Sequence, residues 1–185
     1  VSETVLETGR LMLRSIGPND AEEQFRVLNT PMVMARLGGP KTLEQIREKH
    51  AKAMAMYAAE GFSFLFLIEK DSGEMVGHAG IKRVDNPLAS NPGDHEIGWL
   101  IREDRWRMGY AAEAVRAIIG WAFGPVGAPH VVALTSELNV PSWKLMEKLG
   151  MERRRDLDFE DPAYPPEDRT TILYSLTREQ WETAA

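Results

Sequence analysis

The sequence predicts an α/β (α+β) fold, a mixed twisted sheet of about seven strands with flanking helices, in a single domain over residues 1–185. Three observations carry that expectation. Short apolar runs bounded by turn residues recur along the chain, helical periodicity fills the stretches between them, and the second half reads strand, helix, strand, helix before a closing strand pair. With 185 residues, 43% of them hydrophobic, the chain can bury one sizeable core and falls short of what two full domains need.

The elements follow in order. Residues 10–15, R-L-M-L-R-S, alternate in polarity as a half-buried strand does. Asp20 is placed to cap a short helix running to about Thr30, and Thr42, with Glu44 and Gln45 behind it, opens a longer one reaching Glu60 before Gly61. Residues 62–69 and 75–84 are apolar runs split by Asp71, Ser72 and Gly73, a hairpin signal. A turn-rich stretch, 85–94, leads into a strand at 95–101. The period then changes: Ala111, Val115, Ile118, Ile119 and Ala122 share one face of a helix over 109–123, with Glu113 and Arg116 elsewhere. A strand at 130–135 and a short helix marked by Ser142, Leu145, Met146 and Leu149, ended by Gly150, complete a second such unit. Strands at 152–159 and 170–176 flank an acidic, proline-rich loop at 160–168, and 177–183 reads as a brief terminal helix.

Composition narrows the function. The chain has no cysteine, which excludes disulfides, thiolate metal sites and a cysteine nucleophile. A net charge of -6 argues against a nucleic-acid partner, which calls for a basic face, and suits a cationic one. No apolar run reaches the length of a membrane span and no signal-peptide pattern opens the sequence, so a cytoplasmic protein with no membrane partner is expected. His50, His78 and His130 lack metal-ligand spacing and read as structural; no metal is expected. Met54, Met56 and Tyr57 read as core or as a substrate wall, and Arg153 to Arg155 as a solvated strand end within reach of a phosphate.

The segment 99–113, W-L-I-R-E-D-R-W-R-M-G-Y-A-A-E, passes from strand through a basic turn into an amphipathic helix. Amides at a helix start lack intrahelical acceptors, and the helix dipole favours an anion there by roughly 0.3–1 kcal/mol. Gly109 permits close backbone approach, while Arg102, Arg105 and Arg107 add positive charge. Alone, the turn reads equally as a plain strand-to-helix connection. Neither G-x-x-x-x-G-K-S/T nor G-x-G-x-x-G is present, which sets aside ATP, GTP and dinucleotides.

Trp106-x-x-Gly109-x-Ala111 resembles the Q/R-x-x-G-x-G/A pyrophosphate loop of the GNAT superfamily, with tryptophan at its first position. One strand later, N-V-P-S-W-K-L-M-E-K-L-G-M at 139–151 resembles the family's N-x-x-S-x-x-L-x-x-x-L-G-F/M element. Together with His95-Glu96-Ile97-Gly98-Trp99 the set is most similar to the branch of RimJ/RimL-type ribosomal-protein N-terminal acetyltransferases, over nearly the whole chain from L-E-T-G-R-L-M-L-R at Leu6 to Y-S-L-T-R-E-Q-W at Tyr174. The resemblance implies an acetyl-CoA-dependent N-acetyltransferase with a splayed central strand pair. The strand at 99–101 would part from that at 131–135, the pantetheine amides would pair with the main chain of Trp99 and Ile101, and the diphosphate would rest on the amides of Arg107, Met108, Gly109, Tyr110, Ala111 and Ala112. Asn139 is implied as a further cofactor contact, beside its alternative as a helix N-cap.

An alkylammonium cannot attack a thioester until it loses a proton, and a lysine-like amine holds that proton with a pKa near 10.4. Glu96 is the candidate base, with His95, on the opposite face of a regular strand, as its alternative and a cross-strand carboxylate as the plainer role. Ser142 is the candidate proton donor to the leaving thiolate, because Met146 occupies the position where many relatives carry tyrosine; it also reads as a first-turn serine bonded to backbone. The acceptor is expected to be a small-molecule amine or a protein N-terminus, attacking directly in a ternary complex. Acceptor walls are expected at 32–41, 85–94 and 160–168. A homodimer is compatible with the resemblance. The alternatives are a non-catalytic acyl-CoA-binding sensor or scaffold, and a phosphate-binding protein that uses the basic turn alone.

Overall fold

A computed structural model describes residues 2–184. Within them the chain forms β1 (Thr4–Glu7), β2 (Leu11–Arg14), α1 (Ala21–Val27), α2 (Leu43–Glu60), β3 (Phe64–Glu69), β4 (Met75–Arg83), β5 (His95–Ile101), α3 (Tyr110–Phe123), β6 (His130–Ser136), α4 (Val140–Lys148), β7 (Glu152–Arg153), β8 (Phe159–Glu160), β9 (Thr170–Thr177) and α5 (Arg178–Ala184). The fold is α/β with a mixed sheet, as the sequence predicts. Two compact units make it up: the chain to Lys82 with Gly98–Ile118, and Arg83–Ile97 with the chain from Ile119 onward.

In the first unit β1, β2, β3 and β4 run antiparallel in that order, and the Arg102 amide donates to the Val76 carbonyl at 2.8 Å where β4 meets the end of β5. The pattern of β2 explains its register: Leu11 and Leu13 are fully buried, while Met12 and Arg14 turn to the other face. Leu28, Phe66, Ile68 and Met75 form a core cluster, with Met12, Ile16, Val27 and Leu100 packed against it. Burying a side chain of this size contributes roughly 1.5–3 kcal/mol. Gly98 of β5 exists for contact: a Cβ there would lie 2.7 Å from the Phe64 ring.

Helix α2 starts as its sequence predicts, with a capping box in which Thr42 Oγ1 accepts the Gln45 amide at 3.1 Å and Gln45 Oε1 accepts the Thr42 amide at 2.9 Å. Asp20 departs from expectation. It sits at the N-cap of α1 without a capping bond, because its carboxylate takes both Nη atoms of Arg14, at 2.8 and 3.0 Å, and the Gly17 amide at 2.7 Å. A bidentate guanidinium outcompetes a neutral amide for the same oxygens.

In the second unit β5 pairs in parallel with β6 at Glu96↔Val132, and β9 runs antiparallel to β6, β7 and β8. Val131, Ala133, Leu173 and Leu176 have no exposed surface, and Met146 has 1%. The expected strand over 152–159 is broken into β7 and β8 by a 3₁₀ turn at Arg155–Leu157. Arg153 and Arg154 explain the break, since they close ion pairs with Asp158 and Asp156 across this turn. That split and the added N-terminal β1 give nine strands among the described residues where about seven were expected. No helix of the described residues is long and apolar enough to cross a membrane.

Candidate functional site

The site begins where β5 ends. A 3₁₀ turn at Glu103–Arg105 leads to an exposed loop, Trp106 to Gly109, and then to α3. Two residues of this loop are left-handed: Gly109, with φ 81°, and Arg107, with φ 61°. Glycine adopts that region freely, whereas an L-residue with a Cβ does so at a cost of roughly 1–2 kcal/mol. The first helical acceptor is the Gly109 carbonyl, which takes the Glu113 amide at 3.1 Å. The amides of Tyr110, Ala111 and Ala112 precede it and have no acceptor within the helix. Trp106 and Met108 are 43% and 47% exposed. The loop therefore offers unspent donors at a dipole's positive end, with a glycine where the backbone must be approached, and these features fit a phosphate.

The surrounding charges differ from the expectation. Arg102 is spent on Glu74, Asp104 and the Met75 carbonyl, at 2.6–3.1 Å. Arg105 is spent on Glu69, at 2.9 and 3.1 Å, and on Asp104 at 2.9 Å. Neither adds free positive charge to the loop, because three carboxylates lie nearer than any ligand would. Arg107 is exposed and outside these pairs. Glu69, at 7% exposure, gathers Arg105, the Tyr110 hydroxyl at 2.5 Å and the Ser72 hydroxyl at 2.7 Å. The Arg105 bonds, then those of Tyr110 and Ser72, hold its carboxyl down to about 2 against an ordinary 4.5.

Ile101 carries a second departure. Its carbonyl, expected to face an incoming ligand amide, already accepts the Trp106 indole N–H at 2.7 Å. Tryptophan at the first motif position thus ties the loop back to the end of β5. Trp99 is half-buried on the same strand.

In the second unit Glu96 is half-buried opposite Val132. Asn139 sits at the N-cap of α4 without capping it; its amide donates to Thr135 Oγ1 at 2.9 Å. The Asn139 carbonyl takes the Ser142 amide at 3.1 Å, so these two candidates lie together on one helical turn. The Ser142 hydroxyl makes no bond to backbone among the described residues, unlike an ordinary first-turn serine. Met146 is core. Two of the expected acceptor walls, 85–94 and 160–168, touch one another, since Asn86 donates to Asp161 at 3.0 Å. His130 pairs with Asp94 at 3.1 Å.

Elsewhere in the first unit, His50 is 5% exposed and bonded to Gln24 at 2.5 Å, while His78 lies between Phe64 and Phe66 with burial holding its pKa down to about 4. Met54 and Tyr57 line a cavity of about 210 Å³ beside Glu3 and Ser15. Among the described residues no group of three or more His, Asp or Glu could hold a metal.

Residues 10–152 match the model of the acetyltransferase (GNAT) domain family. The chain belongs to the GNAT acetyltransferases. It is an acetyl-transferring enzyme, and the family uses acetyl-CoA. The uncharacterized protein YkkB of Bacillus subtilis is 31% identical over 153 residues, which cover 81% of this chain and 86% of that one. The FsC-acetyl coenzyme A-N(2)-transacetylase of Aspergillus fumigatus is 26% identical over 187 residues, covering 97% of this chain and 79% of its own. The crystal structure of an acetyltransferase from Agrobacterium tumefaciens aligns with a TM-score of 0.74 at 28% identity, over 94% of each chain.

Within this GNAT acetyltransferase, the sequence reading missed Arg10, Glu69 and Glu113. Their signal was faint: Arg10 and Glu69 are charged residues at ends of apolar strand runs, where solvated charges are ordinary. Only the fold brings Arg10 within 3.1 Å of Glu113, 103 positions away.

Proposed function

We propose that this GNAT acetyltransferase moves an acetyl group from acetyl-CoA to a primary amine by direct attack in a ternary complex, and that it lies in the RimJ/RimL-like branch. The observation that carries the reading is the loop between β5 and α3, whose left-handed Arg107 and Gly109 lead into three unspent amides. The residues assigned to the donor are Trp99, Ile101, Arg107, Met108, Gly109, Tyr110, Ala111, Ala112 and Asn139. Charge-assisted bonds from amides to phosphate contribute on the order of 1.5–3 kcal/mol each, which accounts for affinity although Arg102 and Arg105 are otherwise engaged. Acetyl-CoA supplies the thioester carbonyl to be attacked.

Glu96 is the base that accepts the ammonium proton, directly or through water. Ser142 is the proton donor to the departing sulfur; its hydroxyl is not committed to backbone, and Met146, being buried core, cannot serve. The acceptor is a small cationic amine or a protein N-terminus drawn by the acidic loops that hold Asp94 and Asp161. A cytoplasmic setting and a homodimer complete the proposal. Buried Met146 at the position of the usual tyrosine favours one second reading, an acyl-CoA-binding sensor without turnover.

The test is thiol release from acetyl-CoA over a panel of amines and peptide N-termini. Release that depends on an acceptor, and falls at least about 100-fold in Glu96→Gln, is expected of general-base catalysis. Binding of acetyl-CoA with no acceptor-dependent release contradicts the enzymatic reading and selects the sensor.

A further inference from the structure

Arg10 immediately precedes β2 and lies outside both motifs, yet its guanidinium is spent on the β5–α3 connection. Nη1 donates to the Met108 carbonyl at 2.8 Å, Nε donates to Glu113 Oε1 at 3.1 Å, and the group stacks over the Tyr110 ring at 4.1 Å from its centroid. The other Glu113 oxygen accepts the Thr8 hydroxyl at 2.9 Å, so the carboxylate is itself held in place. Nη2 lies 3.4 Å from where a Cβ on residue 109 would stand.

These contacts fall on the peptide that needs them. Met108 lies between the two left-handed residues, Arg107 and Gly109. A strained backbone conformation of this kind persists when neighbours over-determine it. Within the loop the restraint is slight: Trp106 ties only its beginning, and Met108 is 47% exposed. Glu69 accepts the Tyr110 hydroxyl, so Tyr110 is fixed at its tip by a carboxylate and across its face by Arg10.

We propose that Arg10 is a positioning residue for acetyl-CoA: by holding the Met108 carbonyl and Glu113 together, it keeps the Arg107–Gly109 turn in the form that presents its amides to phosphate. The proposal rests on the reading that the donor's phosphates meet this turn. It requires a planar, multiply donating group, and lysine, a single point charge, cannot span both acceptors and the ring in the same way.

The experiment measures acetyl-CoA binding by calorimetry, and KM and kcat by thiol release, for the wild type, Arg10→Ala and Arg10→Lys, with melting temperatures alongside. Wild-type protein that fails to bind acetyl-CoA overturns the underlying reading. With binding established, Arg10→Ala is expected to raise Kd and KM for acetyl-CoA about tenfold while kcat at saturation and the amine KM stay within about twofold. Arg10→Lys, which keeps the charge and a cation over Tyr110, is expected to remain folded and to recover less than half of that loss on a logarithmic scale. Unchanged acetyl-CoA affinity in either variant contradicts the proposal. So does full recovery in Arg10→Lys, which assigns the effect to charge alone, or a loss shared equally by kcat and the amine KM, which assigns it to general disruption.

Discussion

Glu69 shows how single side chains decide what this site can do. Placed at the end of β3 and almost fully buried, it collects a guanidinium and two hydroxyls, and by doing so removes Arg105 from the pool of cations available to a ligand. Its folded pKa, about 2, lies below its ordinary 4.5. The contribution to stability is therefore complete above pH 4.5 and is lost as the pH falls toward 2. Glu69→Gln is expected to lower stability at neutral pH by on the order of 2 kcal/mol, and to flatten the loss of stability between these two values, as read from urea unfolding at a series of pH values. A variant whose acid profile parallels the wild type contradicts this role. Such a residue is hard to read in sequence, because a glutamate before Lys70 and Asp71 looks like the polar start of a hairpin turn. Arg102 and Arg105 were legible as charges near the loop but not as spent charges; their acids come from Glu69, Glu74 and Asp104, two of them about thirty positions away. Glu96, Asn139 and Ser142 were legible from motif position, and their roles rest on that position together with the proposal.

The strand, turn and helix from β5 to α3 form the element on which the reading depends, and here the sequence was most informative. The run at 95–101 entered from a turn-rich stretch, the glycine at 109 and the helical face through Ala122 each gave a local signal that tertiary packing had no reason to override. The left-handed Arg107 was invisible, since nothing in an arginine announces a positive φ. Weak elements failed for the same physical reason: β1, β7 and β8 are two to four residues long and owe their pairing to a neighbouring strand rather than to their own pattern. Gly109→Ala tests the element. An alanine at φ 81° is expected to cost roughly 1–2 kcal/mol of stability and to weaken acetyl-CoA binding about tenfold. Gly127→Ala, at φ 72° with nothing within 4 Å of its Cβ, is the control, expected to lose similar stability and no affinity, as read by thermal unfolding and calorimetry in parallel. Equal effects of both variants on affinity contradict a special role for the 106–110 loop.

For the whole molecule, the fold class was legible because a mixed sheet with interleaved helices leaves a repeated alternation of periods in the chain, and two spaced motifs in order carry the family's signature. What the whole molecule does with an acceptor was not legible, since acceptor walls come from loops such as 85–94 and 160–168, which carry no period. Net charge works at this scale too: in a chain of -6 with Arg102 and Arg105 neutralised, the backbone amides and Arg107 are what the loop offers a phosphate. The most direct test of the account is calorimetric titration of the wild-type protein with acetyl-CoA, repeated in the presence of excess coenzyme A and of free phosphate. Saturable binding that coenzyme A displaces and equimolar phosphate does not is the predicted result. An absence of binding heat, or displacement by phosphate as effective as that by coenzyme A, contradicts it.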